Sequence, residues 1–545
     1  MPLGGLGEIG KNMTAVRQSS GIILVDAGMS FPDEEMPGID LVLPDFTFLR
    51  EHADELKGIV LTHGHEDHVG ALPYVLREFN VPVYGTKLTL GLVRSKLKEF
   101  GIKKGDLREV KAGDTQNLGG FGLEFINVNH SIPDAVAIAI RTNAGLIVFS
   151  GDYKIDLTPI EGAPMDLGRL AELGNAGVLA YFGDSTNSER PGYVPSEKTV
   201  QKTLEEVFEK AKGRIIVASF ASHIHRVSQV VEAAKKHNRL VGVAGRSMVR
   251  NVQIARELGY LDLPDEMFVD QQRDFGRIPD SDIVVMMTGS QGEPLAALSR
   301  VAAGTHRSIE VGPGDTVVVA AHPIPGNERG VSRTINGLMK KGADVHYSPL
   351  QNVHVSGHGA QEEQKLVLAL LKPKFLVPVH GEFRMLKHHA NTAMSMGIPE
   401  ENIFILENGN RLEFKNGKAR RADSVAAGMF LVDAGAIADG SSSVMRERQQ
   451  LSEDGMFIVV ARVSAQNGQL LGPPDVISRG FVDSQGANGL TEQSIDTVQR
   501  TLERTASRQV TDRGELKNAI RKDLSGFISQ KTGKRPIILP LIVEV

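Results

Sequence analysis

Short apolar runs broken by glycine and polar turns fill the first third of the chain: GIILVDAG, GIVLTH, VPVYGT, GLEFINVN, AVAIAIRT, GLIVFSGD and VLAYFGDST. Runs of this length, bounded by turn formers, read as buried strands. From Ser196 to Pro349 the pattern changes, and GRIIVASF, RLVGVAG, DIVVMMTGS, DTVVVAA and ADVHYS are separated by helix-length segments rich in Ala, Leu, Lys and Glu. That alternation predicts a parallel sheet with crossover helices. After FKNGKARRADS the composition shifts to Ala, Gly and Ser through Ser443. The remainder reads as strands, two helices (TEQSIDTVQRTLERTA and GELKNAIRKDLSGFIS) and a closing strand, PIILPLIVEV.

At 545 residues the chain exceeds what one hydrophobic core supports, so two or more domains are expected. Lys and Arg number 61 against 66 Asp and Glu, so any polyanion site must be local. Cysteine is absent, which excludes disulfides and thiolate metal sites and leaves His, Asp and Glu as the strong ligands. The apolar stretches fall short of the roughly 18 residues a spanning helix needs, and no basic-plus-apolar leader opens the chain. A cytoplasmic protein without membrane association is the expectation. Aromatic residues make up 5% and Trp is missing, so contact with a nucleic acid would rest on its backbone more than on base stacking.

The chemistry concentrates in LTHGHEDHVG, Leu61 to Gly70. His63, His65, Asp67 and His68 are placed on the turn leaving the strand GIVLT, ahead of an apolar helix, VGALPYVLRE. Histidines two apart on a turn can converge on one metal, while the adjacent Asp67 and His68 face a second; imidazole and carboxylate suit zinc or manganese. A solvated polar loop is the plainer reading of this cluster alone. Against it stand three further residues just past apolar strands: His130 after LEFINVN, Asp152 after LIVFSG and His380 after KFLVPV. Seven ligands make two sites if one carboxylate bridges, and Asp152 is the expected bridge. Asp26, ending IILVD, is expected behind the ligands as an acceptor that orients the His loop.

Two segments are candidate phosphate cradles. Ser222 is expected to cap a helix starting near His223, turning the amides of Ser222, His223 and Ile224 toward an anion, with plain helix capping as the alternative. HVSGH offers His354, Val355, the Ser356 hydroxyl and, at Gly357, close backbone approach. TGSQGEP adds Ser290 and Gln291.

HGHEDH with His130, Asp152 and His380 resembles the metallo-β-lactamase superfamily, which implies a four-layer αββα sandwich holding metals at its edge. His380 follows Asp152 by 228 positions, leaving room for an inserted domain. That insert, with GDST (Asp184), HVSGH (His358) and VPVHGE (His380), resembles the β-CASP nucleases and their motifs A, B and C. PLGGLGEIGKNM, ASFASHIHR, TGSQGEP, HVSGHG and VPVHGEFRML together resemble the bacterial ribonuclease J family over nearly the whole chain. Two departures stand out: the chain begins almost at PLGG, so the first strand is expected to be short, and His223 stands where Asn is expected.

The resemblance implies a lactamase-like core in two parts, 1–195 and 351–425, a parallel α/β β-CASP domain at 196–350, a linker at 426–444 and a small α/β domain at 445–545. It implies a two-metal ribonuclease with 5′ to 3′ exonuclease and endonuclease action in RNA maturation and decay. Asp67 and Asp152 would serve the metals, zinc first and manganese second. His358, its ring held by Asp184, would assist the departing 3′ oxygen, with phosphate binding alone as its other reading. Single-stranded RNA, a homodimer partner and other RNA-decay proteins are the implied partners. A β-CASP nuclease acting on DNA and a non-catalytic RNA-binding subunit are the alternatives.

Overall fold

A computed structural model describes the chain except residues 34, 104, 270, 271, 294, 295, 325, 326, 440–442 and 482–486. Pro294 of the TGSQGEP turn and residues 440–442 of the expected linker therefore lie outside the described residues. The chain divides into two units, Met1–Phe31 with Val42–Met429, and Pro32–Leu41 with Phe430–Val545.

In the first unit, two mixed six-stranded sheets face each other. One runs in the order Pro2–Gly4, Met13–Gln18, Gly21–Val25, Leu56–Val60, Val83–Gly85, Leu107–Glu109. The other runs Phe375–Val379, Val178–Asp184, Gly145–Phe149, Val136–Thr142, Phe121–Asn127, Thr115–Leu118. Ile23, Val25 and Val60 of the first sheet pack against Phe125, Ile138, Phe149, Phe182 and Val377 of the second. Alternate residues of the second sheet, among them Ile126, Ala137, Val148 and Tyr181, point the other way onto the helices Leu167–Ala176 and Gln361–Leu371. This period-2 division of one strand between two cores is why the strands read as nearly continuous apolar runs. The helix Lys87–Glu99 lies along the first sheet's far strands, completing a helix-sheet-sheet-helix sandwich. The opening strand is three residues long, Pro2–Gly4, as short as expected.

The insert between Asp184 and His358 carries a third six-stranded sheet, ordered Phe268–Val269, Leu240–Ala244, Ile283–Met287, Ile215–Ala218, Thr316–Val319, Asp344–Tyr347. Its strand pairings are parallel throughout, as the strand-helix rhythm predicts. One face of this sheet shares a core with Leu88, Leu92 and Ile132 of the sandwich and with Val353 and Val355, so the insert is seated beside the loop that carries His130.

The second unit holds the strands Asp475–Arg479, Met456–Val463 and Ile537–Glu544, and the helices Ala487–Ala506 and Arg513–Thr532. Phe457, Val459, Ala461 and Ile538 form its core with Val498, Leu502, Leu516, Ile520 and Leu524. The stretch expected to be a linker instead carries a hairpin, Met429–Asp433 with Ala436–Asp439, because Phe-Leu-Val buries well against a neighbour while Gly435 makes the turn at positive φ.

Candidate metal centre and RNA cleft

The His loop leaves the strand Leu56–Val60 and passes directly into a one-turn helix, Glu66–Val69. Asp67 and His68, expected on the turn, are therefore helical, which sets them on the inner side of the loop, while the apolar helix behind begins at Leu72. His130, Asp152 and His380 arrive from the ends of three strands of the second sheet. The loop and the strand ends meet at one rim of the sandwich.

Three groups of ligand atoms form there; two include the His loop, and the third joins Asp152 and His380 to Asp184 and His358. In the first, His65 Nδ1 lies 3.0 Å from His63 Nε2 and 3.1 Å from His130 Nε2. Asp152 Oδ2 stands 3.5 Å from His63 Nε2 and 3.6 Å from His130 Nε2. In the second, His380 Nε2 lies 3.2 Å from Asp67 Oδ2 and 3.6 Å from Asp152 Oδ1, and His68 Nε2 lies 3.3 Å from the same Asp152 Oδ1. Asp152 faces each of these two groups with a different oxygen, and both are candidate ion sites by the closeness of their donors. A four-coordinate ion with bonds of about 2.0 to 2.2 Å sets its ligand atoms about 3.3 to 3.6 Å apart; the carboxylate–imidazole separations to Asp152 lie at 3.3 to 3.6 Å, while the His65 contacts at 3.0 and 3.1 Å are shorter.

The electrostatics support a cation. Asp152 is only 2% exposed, and its Oδ1 is buried without a hydrogen-bond partner, an uncompensated acceptor of the kind that binding a cation satisfies. Burial holds His63 and His130 far below the usual imidazole range and His65 at about 4, so all three present neutral, ligating nitrogens. At His68 and His380 burial presses the same way, but Asp152, Asp67 and their neighbours prevail, lifting His68 well above its ordinary value and His380 to about 9. The carboxylates thus draw positive charge to this spot, and a proton and a metal ion compete to supply it.

Each ring is aimed by a partner. Asp26, 5% exposed, accepts from the Thr62 amide and hydroxyl and holds His68 Nδ1 at 2.8 Å. His130 Nδ1 donates to the Gly357 carbonyl at 2.7 Å. A Cβ on Gly357 would come within 2.6 Å of the His130 ring, so the absence of a side chain here lets the two segments approach. The Thr186 hydroxyl meets His380 Nδ1 at 2.6 Å, and Asn12 contacts His68 Nε2 at 3.1 Å while bonding the Asp67 carbonyl. Thr62, Thr186 and Asn12 were not singled out in the sequence, although each lies in or beside a segment that was: THGHEDH, GDST and GEIGKNM. Asp26 and His380 adopt left-handed backbone, φ 60° and 55°, a conformation costing about 1 to 3 kcal/mol that their fixed partners sustain.

Beside the ligands, His358 Nδ1 lies 2.8 Å from Asp184 Oδ2 and 4.0 Å from Asp152 Oδ2. Burial disfavours its charge, but Asp184 and Asp152 outweigh this and raise its pKa. The imidazolium is thus favoured, with Nδ1 committed to Asp184.

The phosphate cradles differ from expectation. The cap of the helix Ile224–Lys236 is His223, not Ser222: its Nδ1 accepts from the Arg226 amide at 3.2 Å. The His223 and Ile224 amides are turned into local bonds to Phe220 and Ser222 carbonyls, so neither points outward to an anion. Gln291 is buried and spends both ends of its amide inside the insert, on the His322 carbonyl and the Ile324 amide, beside an equally buried Ser290. The Ser356 hydroxyl accepts from the His358 amide. His354 Nδ1 is buried without a partner, its ring 6.0 Å from His223 and 4.9 Å from His322.

Family models agree with this layout. Residues 6–180 match the metallo-beta-lactamase superfamily, 212–338 the beta-CASP domain of ribonuclease J, 342–406 the RNA specificity domain of Zn-dependent metallo-hydrolases and 443–545 the C-terminal domain of ribonuclease J. The chain is 42% identical to ribonuclease J2 of Bacillus subtilis over 544 residues, covering 100% of this chain and 98% of that one. It is 44% identical to ribonuclease J of Synechocystis, covering 99% and 86%, and 40% identical to ribonuclease J of Thermus thermophilus, covering 100% and 95%. A crystal structure of a protein of unknown function from Enterococcus faecalis shares the fold at TM-score 0.52 and 16% identity, over 77% of this chain and 99% of that chain.

Proposed function

The chain belongs to the ribonuclease J family of metal-dependent ribonucleases, and from that premise we propose that it cleaves single-stranded RNA with two divalent ions, both as a 5′ to 3′ exonuclease and as an endonuclease. His63, His65, His130 and Asp152 would hold one ion, and Asp67, His68, His380 and Asp152 the other. Zinc fits the histidine-rich first group best, and manganese suits the more carboxylate-rich second. When bound, such a pair supplies an activated water and offsets the charge of the phosphodiester.

The chain's own residues do the rest. Asp26, Gly357 and Thr186 hold the second ring nitrogens of His68, His130 and His380 and so orient those rings toward the ions. His358, its Nδ1 held by Asp184, presents Nε2 to the departing 3′ oxygen and gives up a proton there. Asp184, bonded to Nδ1, fixes which nitrogen faces the leaving oxygen. His354 and Ser356 flank His358 and are the remaining candidates for the RNA phosphate, His354 by its unpartnered nitrogen.

The observation that carries this reading is the sharing of Asp152 between two ligand groups with the His358–Asp184 pair beside them. End-labelled RNA bearing either a 5′ monophosphate or a 5′ triphosphate tests it. The monophosphorylated RNA should release mononucleotides faster, internal cuts should ignore the end group, and chelator should stop both. Equal mononucleotide release from both RNAs would remove the 5′ end reading, and cleavage surviving chelation would remove the metal one.

The same reading includes maturation and decay of cellular RNA as its setting, and a homodimer. Support for the dimer comes from the second unit, whose sheet leaves Ile477, Leu539, Leu541 and Val543 exposed on one face. No helix among the described residues is long and apolar enough to cross a membrane.

A further inference from the structure

The metal ligands and His358 reach the rim on different segments, and catalysis needs them held to within a fraction of an ångström. Asp152 ends a strand of the second sheet, whereas His358 lies on the loop that returns from the insert, 206 positions later. Something must fix one loop against the other.

Glu363 sits in the first turn of the helix Gln361–Leu371 and is 0% exposed. Its Oε1 accepts from the Ile155 amide at 2.8 Å, and its Oε2 accepts from the Val194 and Ala360 amides, each at 2.8 Å. A glutamate at this position commonly bonds back to the residue capping its helix, which accounts for the Ala360 bond alone. The other two come from residues 208 and 169 positions away. Ile155 lies three residues after Asp152, Ala360 two after His358, and Val194 on the segment that follows Asp184. Between the same two loops the Gly359 amide also bonds the Tyr153 carbonyl, at 2.6 Å. From the next position of the helix, Gln364 donates to the Asp184 carbonyl.

Glu363 forms no ion pair within 4 Å among the described residues; three backbone amides bond its carboxylate, and the Lys154 charge acts on it only at longer range. Burial pushes its pKa up and the three amides oppose this. A buried carboxylate so placed is costly, and it is retained with three backbone amides that an apolar residue would leave without a partner. Its geometric return is that both oxygens are needed to bind three amides from three segments, which no neutral side chain of this size can do.

We propose that Glu363 is a positioning residue for the phosphodiesterase reaction, fixing the His358 loop against the Asp152 loop. This rests on the reading that His358 delivers a proton to the leaving oxygen. Glu363 touches neither substrate nor metal. It sets the 4.0 Å approach of His358 to Asp152.

The experiment is a double-mutant cycle on the full chain, with Glu363→Gln, His358→Ala and the pair, measuring kcat, KM and bound metal. Glutamine keeps the shape but offers one acceptor oxygen and turns an NH2 against an amide. E363Q alone should lower kcat about tenfold or more with KM and metal content unchanged. In the His358→Ala background it should add little, because the group it positions is already gone. An equal loss in both backgrounds, or a loss tracking reduced metal content or folded fraction, overturns the proposal. Full turnover by His358→Ala overturns the reading beneath it, and the proposal with it. If E363Q does not fold, Glu363→Asp, which keeps both oxygens on a shorter stem, takes its place in the same cycle with the same expected outcomes.

Discussion

A ligand's second nitrogen decides how well its first one binds. His380 Nδ1 meets the Thr186 hydroxyl at 2.6 Å, which leaves Nε2 facing Asp67 and Asp152. Thr186→Val keeps the volume and removes that bond. It is expected to weaken the ion held by His380, Asp67, His68 and Asp152 roughly 10- to 100-fold, with kcat recovering at saturating metal. Isothermal titration of the demetallated protein checks this, and unchanged affinity would show that the hydroxyl does not orient the ring. Ligand types were legible in the sequence because metal-binding side chains past strand ends are rare and specific. Their orienting partners were not, since Thr62, Thr186 and Asn12 belong to residue types found throughout any surface. Gly357 was legible as a point of close approach, but what approaches is the His130 ring, a contact across 227 positions that spacing cannot reveal.

At the scale of elements, alternation of apolar residues was enough to place the strands, because each strand divides its side chains between two cores. The parallel sheet of the insert followed from its strand-helix rhythm for the same reason. Helix starts were less legible. His223 caps Ile224–Lys236 with a ring nitrogen, a role propensity assigns to the neighbouring serine, and Glu66–Val69 is too short to show a period. The helix Phe383–Ser395, following the last ligand, carries a consequence for pH. Its His389 is fully buried, with Nδ1 3.0 Å from the Ser185 hydroxyl, and burial holds its pKa at about 4. The folded chain keeps this ring neutral while the unfolded chain protonates it near 6.5, so stability is present above that pH and is lost as pH falls toward 4. The loss is of order 3 kcal/mol by linkage. His389→Asn should therefore show a shallower fall in Tm than the unsubstituted chain between pH 6.5 and 4, read as the difference between the two proteins by calorimetry. Parallel curves would mean that the ring does not titrate with unfolding.

For the molecule as a whole, the account joins a sandwich that carries the candidate ligands, an insert packed beside the His130 loop, and a second unit with an apolar sheet face. If that face pairs two copies, Leu539→Lys with Leu541→Lys should shift the full chain from dimer to monomer in sedimentation while cleavage of internal sites persists. An unchanged dimer would move the interface elsewhere. The central claim is that Asp152 serves both ions, one through each oxygen. The most direct measurement compares the metal content of the chain and of Asp152→Ala by native mass spectrometry, alongside cleavage of one labelled RNA. The account predicts two ions per chain, and for the variant loss of metal from both sites with turnover abolished. A variant that retains both ions and normal turnover would contradict it.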